Sequence, residues 1–290
     1  MSDATQHQPF GTYRLPRSFE WLRQRSGELP NGRIGRAGAS LIRRVIASRG
    51  PGVYDVEVFP TIHARLYPAT NTCERRVFTA AQFFDAEERA FLDSAVATSP
   101  SSTFVFFDLG ANVGLYGLSV LSSARAHQRD VKVIAVEPDP TTRSRLLENI
   151  AFSNAADKFI VESCGVGADR GVGGMVAHAN NRGQNRITTG GSGATGQIEI
   201  LPLFDICQRH GITSIDAVKI DVEGMDFDVL EAFFAAAPSS LYPGSIIVEV
   251  DKTGAKPAVV ALCEKSGYQV AQRTRMNAIV TRAETAMGHL

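Results

Sequence analysis

Asp108, Gly110, Asn112 and Gly114 stand at alternate positions in the stretch FFDLGANVGLYG, residues 106–117. Glycines so placed let the backbone turn tightly and approach a ligand. A helix beginning near Val113 would point its unpaired N–H groups at the same place. Glu137 follows 23 residues after Gly114, at the end of the next apolar run. A carboxylate there can accept hydrogen bonds from both hydroxyls of a ribose.

A second group lies further along. In VKIDVEG, Lys219 and Asp221 are two residues apart and share one face of a strand, as does Glu223 if the extended run continues. Glu249 and Asp251, in IIVEVD, end the following strand. Carboxylates converging from neighbouring strand ends can orient a hydroxyl or take its proton. Asp221, Glu249 and Asp251 could also hold a Mg²⁺ ion that lowers an alcohol's pKa. A purely structural reading stands beside this one: Lys219 pairs with a nearby carboxylate, and Glu223 compensates a helix dipole. His178, in AHANNRGQNR, is a candidate base, and Asn180, Asn181, Arg182 and Asn185 suit a polyhydroxylated acceptor. The same residues suit an ordinary solvated loop. His63, His127 and His210 show no partner pattern and read as structural.

These residues need elements to hold them. From residue 103 the chain repeats strand, glycine or acidic turn, and helix. TFVFFD is a continuous apolar run, as in a parallel strand buried on both faces. KVIAVEP, KFIVESCGV, AVKIDVEG and GSIIVEV follow as further strands, and YQVAQRT with NAIVTR form a closing pair. The alternation implies an α/β fold with a mostly parallel, doubly wound sheet and helices on both faces. VYDVEVF and HARLYP read as two short strands ahead of it. AAQFFDAEERAFLDSAV reads as one helix capped by Thr79. Residues 166–197, rich in glycine and without periodicity, read as a functional or disordered loop. The expected division is an N-terminal extension over 1–100 and a ligand-binding domain over 101–290.

At 290 residues, 44% hydrophobic and 21% charged with zero formal net charge, the chain is of ordinary globular composition. Neutrality disfavours nucleic acid and membrane surfaces as general partners. Residues 1–50 are an exception, with nine Arg against three acidic residues. No apolar run reaches membrane-spanning length, and MSDATQHQPFG lacks the pattern of a secretory signal. Four cysteines far apart, without CxxC spacing, suit a reducing cytoplasm.

NAD and S-adenosylmethionine both carry an adenosine with free ribose hydroxyls, but they differ at the glycine loop. A dinucleotide puts a pyrophosphate there, which Asp108 would repel, and it favours GxGxxG, whereas this loop has Asn112 at its centre. A sulfonium cofactor brings an ammonium group and a cationic sulfur instead, and Coulomb's law favours it.

Together FFDLGANVGLYGL, AVEPDP, RLLENI and VKIDVEGMDFDVL resemble the FkbM-type S-adenosylmethionine-dependent methyltransferases. The likeness covers about residues 103–250, and more loosely RLYPATNTCERRVFTAAQFFDAEERAFL. It implies a class I methyltransferase fold and O-methylation of a sugar or secondary-metabolite hydroxyl. By the same resemblance Asp108, Gly110, Asn112 and Gly114 line the methionine moiety and Glu137 meets the ribose. Ser163 and Cys164 would border the adenine; Asp221, by its own place where the strand becomes loop, would sit beside the methionine end. The expected partner is a small-molecule or glycan acceptor, with self-association left open. An RNA methyltransferase, an NAD-dependent oxidoreductase and a cofactor-binding protein without turnover remain alternatives.

Overall fold

The computed structural model describes residues 8–48, 50–176, 186–188, 195–222, 224–250 and 257–283. In chain order, helices α1 (Arg17–Ser26) and α2 (Arg33–Ala47) precede an antiparallel hairpin, β1 (Tyr54–Phe59) and β2 (Ile62–Leu66). Helices α3 (Thr72–Ala80) and α4 (Ala86–Thr98) lead into the sheet. The core continues as β3 (Thr103–Leu109), α5 (Leu115–Ala126), β4 (Asp130–Val136), α6 (Pro140–Phe152) and β5 (Phe159–Glu162). Short strands β6 (Gly165–Val166), β7 (Gly171–Val176), β8 (Arg186–Thr188) and β9 (Thr195–Leu201) come next, then α7 (Leu203–Arg209). The chain closes with β10 (Ala217–Ile220), α8 (Asp226–Ala236), β11 (Ser245–Glu249), α9 (Ala258–Lys265), β12 (Tyr268–Arg273) and β13 (Asn277–Arg282).

Seven strands form the main sheet in the order β12-β13-β11-β10-β3-β4-β5. The five from β11 to β5 run parallel, and β13 is antiparallel to both its neighbours. A dinucleotide-binding sheet has the order 3-2-1-4-5-6. This one departs from it by the reversed strand inserted before the edge. The strand order turns between β3 and β10, where Asp108 is the register partner of Lys219. Ligands of such sheets bind beyond the carboxyl ends at that point.

The side chains of β3 explain the layering. Phe104 and Phe106 face one cluster, with Ile46, Tyr54, Val77, Phe78 and Phe84 from the preceding segment. Phe107 and Leu109 face the other, with Val218, Ile220, Leu230 and Val260. Successive side chains of a strand alternate between faces, so a continuous apolar run feeds two cores.

Two expectations are corrected here. The stretch AAQFFDAEERAFLDSAV, residues 80–96, is not one helix capped by Thr79. Asn71 accepts hydrogen bonds from the Cys73 and Glu74 N–H groups and starts α3 well before Thr79, which is buried inside that helix. A 3-10 turn at Ala81–Phe83 follows, and Asp85, at φ 39°, begins α4. That break swings Phe84 inward, 5.8 Å from the Tyr116 ring centroid. The glycine-rich stretch after 166 is not loop in its described parts, where β6, β9, β7 and β8 form a four-stranded sheet. Its strands escape a periodicity reading because Gly171, Gly173 and Gly174, in β7, carry no side chain to mark an alternation.

Candidate active site

Strand β3 ends at Leu109, and the chain then turns through Gly110, Asn112 and Gly114, at φ 79°, 54° and 85°. The N–H groups of Gly110 and Ala111 both donate to the Val136 carbonyl, 3.0 Å away, tying the loop to the end of β4. Gly110 also abuts β10. A Cβ there would lie 2.1 Å from the Asp221 carbonyl oxygen.

Glu137 is 8% exposed. Its Oε2 accepts from the Asn112 N–H and its Oε1 from the Asp139 N–H, each at 2.8 Å. Burial pushes its carboxyl up to about 7, against the pull of those two donors. Asp139 in turn accepts from the Thr142 N–H at 2.7 Å and caps α6. Glu137 therefore holds the glycine loop to the start of α6, a role its spacing did not reveal.

A cavity of about 80 Å³ sits where β3 and β10 end. Asp85, Asp108 and Asp221 line it with Lys219, Tyr116 and Cys73. Asp108 is 2% exposed and accepts from the Gly117 N–H at 3.0 Å. Burial pushes its carboxyl up to about 6. Lys219 Nζ donates to the Ile220 carbonyl at 3.0 Å and stands 3.6 Å from Asp221 Oδ2. The Tyr116 hydroxyl donates to Asp85 Oδ2 at 3.0 Å. Three carboxylates thus face one ammonium group, an arrangement that attracts a cation and repels a pyrophosphate.

Sequence reasoning missed the part of this wall that precedes the sheet. Cys73, Phe84 and Asp85 line the cavity, and Asn71 Nδ2 donates to Asn112 Oδ1 at 2.7 Å. Asn71 with Glu74 three residues later is a capping pattern that would have located α3. Nothing local would have placed it against the glycine loop.

Glu249 ends β11, one step beyond the paired Ile220 and Val248. Burial and then Asp221 raise its carboxyl. Ser163 is exposed after β5, whereas Cys164 is buried in the core and its thiol is pushed up to about 12 by desolvation. Cys164 can therefore border a ligand only through its backbone. His210 is not partnerless: its Nε2 lies 2.6 Å from Glu162 Oε1. His178, Asn180, Asn181, Arg182, Asn185, Glu223 and Asp251 lie outside the residues described. Among the described residues, which do not include Asp251, no group of three or more His, Cys, Asp or Glu is placed to hold a metal ion. No helix among the described residues is long and apolar enough to cross a membrane.

Comparison with known proteins bears on what this site serves. The methyltransferase sdnD of Sordaria araneosa is 22% identical over 205 residues, 60% of this chain and 77% of its own. A crystal structure of the methyltransferase FkbM from Methylobacillus flagellatus aligns at 16% identity and TM-score 0.39, covering 72% of this chain. This chain spans 54% of that structure's length. An S-adenosylmethionine-dependent methyltransferase from Agrobacterium tumefaciens aligns at 9% identity and TM-score 0.44, covering 79% of this chain and 69% of that one. The profile of the methyltransferase FkbM domain matches residues 108–270, more than half of the chain and the span from Asp108 through β10 and β11. The protein is a methyltransferase, and it belongs to the FkbM family.

Proposed function

We propose that the protein transfers a methyl group from S-adenosylmethionine to a hydroxyl of a glycan or secondary metabolite. The observation that carries this reading is the strand-end cavity, in which Asp85, Asp108 and Asp221 oppose the single Lys219. Its acidic lining fits a sulfonium cofactor. When bound, that cofactor supplies a methyl carbon open to in-line attack by an oxygen, so positioning does most of the work.

The chain's own residues divide that work. Asp108 and the loop of Gly110, Asn112 and Gly114 hold the charged amino-acid end. Glu137 accepts from the ribose hydroxyls with the lone pairs its two backbone donors leave free. Ser163 and the Cys164 backbone border the adenine. Asp221, whose side chain is 45% exposed, stands at the mouth and receives the acceptor's proton, with Glu249 beside it on the next strand.

Asp221→Asn is expected to lower kcat about 100-fold, the lower end for a general base. Its unfolding midpoint should stay near wild type, since the carboxylate is half-exposed. Full turnover in the variant would make Asp221 structural. The decisive comparison is calorimetry with S-adenosylmethionine and with NADH. Binding of NADH alone would overturn the reading. A transfer screen with labelled cofactor over glycans and metabolites would then identify the acceptor class.

Cofactor affinity should also depend on pH with a definite sign. Ribose hydroxyls and an ammonium group favour the ionised forms of Glu137 and Asp108. In the free protein burial raises these to about 7 and about 6. Affinity is therefore full above both values and falls as pH drops through them, by up to about tenfold per pH unit for each carboxyl. Glu137→Gln should remove the upper part of that dependence. Calorimetry between about pH 5.5 and pH 8 reads it directly, and a flat profile in the wild type would contradict the assignment.

A further inference from the structure

The arginines of the first fifty residues have no role in the site described above. Two of them, Arg36 and Arg43, line a second cavity of about 530 Å³ between α2, α3, α4 and the β12–β13 turn, together with Arg76 and Arg275. None of the four forms an ion pair among the described residues. Among the described residues Arg43 donates to the Ser40 hydroxyl at 3.0 Å, and burial, with Arg75 and Arg44 nearby, holds its guanidinium below its ordinary value. Arg36 lies 5.9 Å from the Phe83 ring centroid.

Carboxylates line the same cavity, yet each is engaged elsewhere. Glu87 accepts from Gln272, Glu88 accepts from Thr274 and Asn277, and Asp85 accepts from Tyr116. Thr79 also borders the cavity and is 2% exposed, and its hydroxyl has no hydrogen-bond partner among the described residues. Buried polar groups rarely stay unsatisfied, so this one points to a ligand atom or a bound water. Four guanidinium groups outnumber the three carboxylates of this cavity and form no ion pair with them, so their forked donors are left for the oxygens of an anion, carboxylate or phosphate. Asp85 lines this cavity and the strand-end cavity alike, which makes it the junction between the two.

We propose that this arginine-lined cavity is the acceptor site, and that the acceptor is a small polyhydroxylated molecule carrying a carboxylate or phosphate group. The anionic group rests among Arg36, Arg43, Arg76 and Arg275, and a hydroxyl of the same molecule reaches past Asp85 toward Asp221. The volume suits a ligand of one or two sugar rings. This inference rests on the acceptor reading above, but its test does not require turnover.

Glucuronate, glucose 6-phosphate and glucose serve as probes, with binding followed by ligand-observed NMR on the full chain. The wild type is expected to bind one or both anionic sugars at least about tenfold more tightly than glucose. Arg43→Gln combined with Arg76→Gln should abolish that preference and leave S-adenosylmethionine affinity within about twofold. The two anionic probes separate a carboxylate from a phosphate, and preference for either supports the site. Equal binding of glucose, no binding of either anionic probe, or a preference that survives the double variant would each overturn it. Tighter capture of a short single-stranded RNA, lost in the same variant, would assign the cavity to nucleic acid instead. Failure of the wild type to bind S-adenosylmethionine would strike the proposed reaction alone, leaving the anion preference separately readable.

Discussion

A Gly110→Ala variant is expected to lose at least about 1000-fold in S-adenosylmethionine affinity, and its methyl transfer with it, through strain at a positive φ and a clash with fixed backbone. Gly110 sits at φ 79°, where an added Cβ costs about 1–2 kcal/mol by itself. Most of the loss comes from the clash, because that Cβ would lie 2.1 Å from the Asp221 carbonyl oxygen. The Asp221 N–H donates to the Leu109 carbonyl at 3.0 Å, so the strand it meets cannot simply turn aside. Relief requires the loop to lift from β10, which breaks the paired N–H bonds to Val136 and separates Asp108 from Asp221. Gly114→Ala is the instructive contrast. There the Cβ meets Leu146 Cδ1, the end of a side chain that can move, and a smaller loss follows. Gly171→Ala, with nothing within 4 Å and no positive φ, serves as the neutral control. Calorimetry together with circular dichroism separates lost binding from lost folding. A folded Gly110→Ala protein that binds within tenfold of wild type would remove the glycine loop from the cofactor site.

What the amino-acid order made legible follows from which interactions are local. Buried parallel strands read as apolar runs, so β3, β4, β10 and β11 were placed correctly. The Asp-Gly-Asn-Gly loop and Glu137 could be placed at two successive strand ends because their spacing along the chain mirrors one strand-turn-helix unit. The roof of the cavity was not found. Asn71 meets Asn112 across 41 residues, and Asp85 meets Tyr116 across 31. No periodicity encodes such pairs, because they depend on how the segment before the sheet packs onto Phe104 and Phe106. Cys164 shows a different limit. Its position after a strand end marked it as a possible ligand neighbour, but the chain order did not say that its side chain turns into the core and leaves only the backbone to face outward.

That packing makes Asp55→Ala the substitution with the largest expected effect on stability, a loss of about 3–5 kcal/mol, because it breaks a buried ion pair by removing one partner. Asp55 and Arg65 face each other across β1 and β2, with both side chains fully buried. Arg65 Nε lies 2.8 Å from Asp55 Oδ1, and Nη2 lies 3.1 Å from Oδ2. The same Oδ2 accepts from the Gly11 and Tyr13 N–H groups at 2.7 and 3.1 Å, pinning the chain ahead of α1. The guanidinium lies between the Tyr13 and Phe152 rings, 4.8 and 4.9 Å from their centroids. Without Asp55 it keeps those rings, the Pro9 carbonyl and the attraction of Glu148 but loses the carboxylate that meets its fork. The strain would be felt at the active site, since the Arg65 N–H donates to Asn149 Oδ1 and Asn149 Nδ2 donates to the Val113 carbonyl in the glycine loop. Urea unfolding should show a lower midpoint with an unchanged slope. Adding Arg65→Met to Asp55→Ala should recover much of the loss, because an apolar pair removes the uncompensated charge. If the single variant unfolds within about 1 kcal/mol of wild type, water reaches this pair and the hairpin is not the anchor for the glycine loop that its contacts imply.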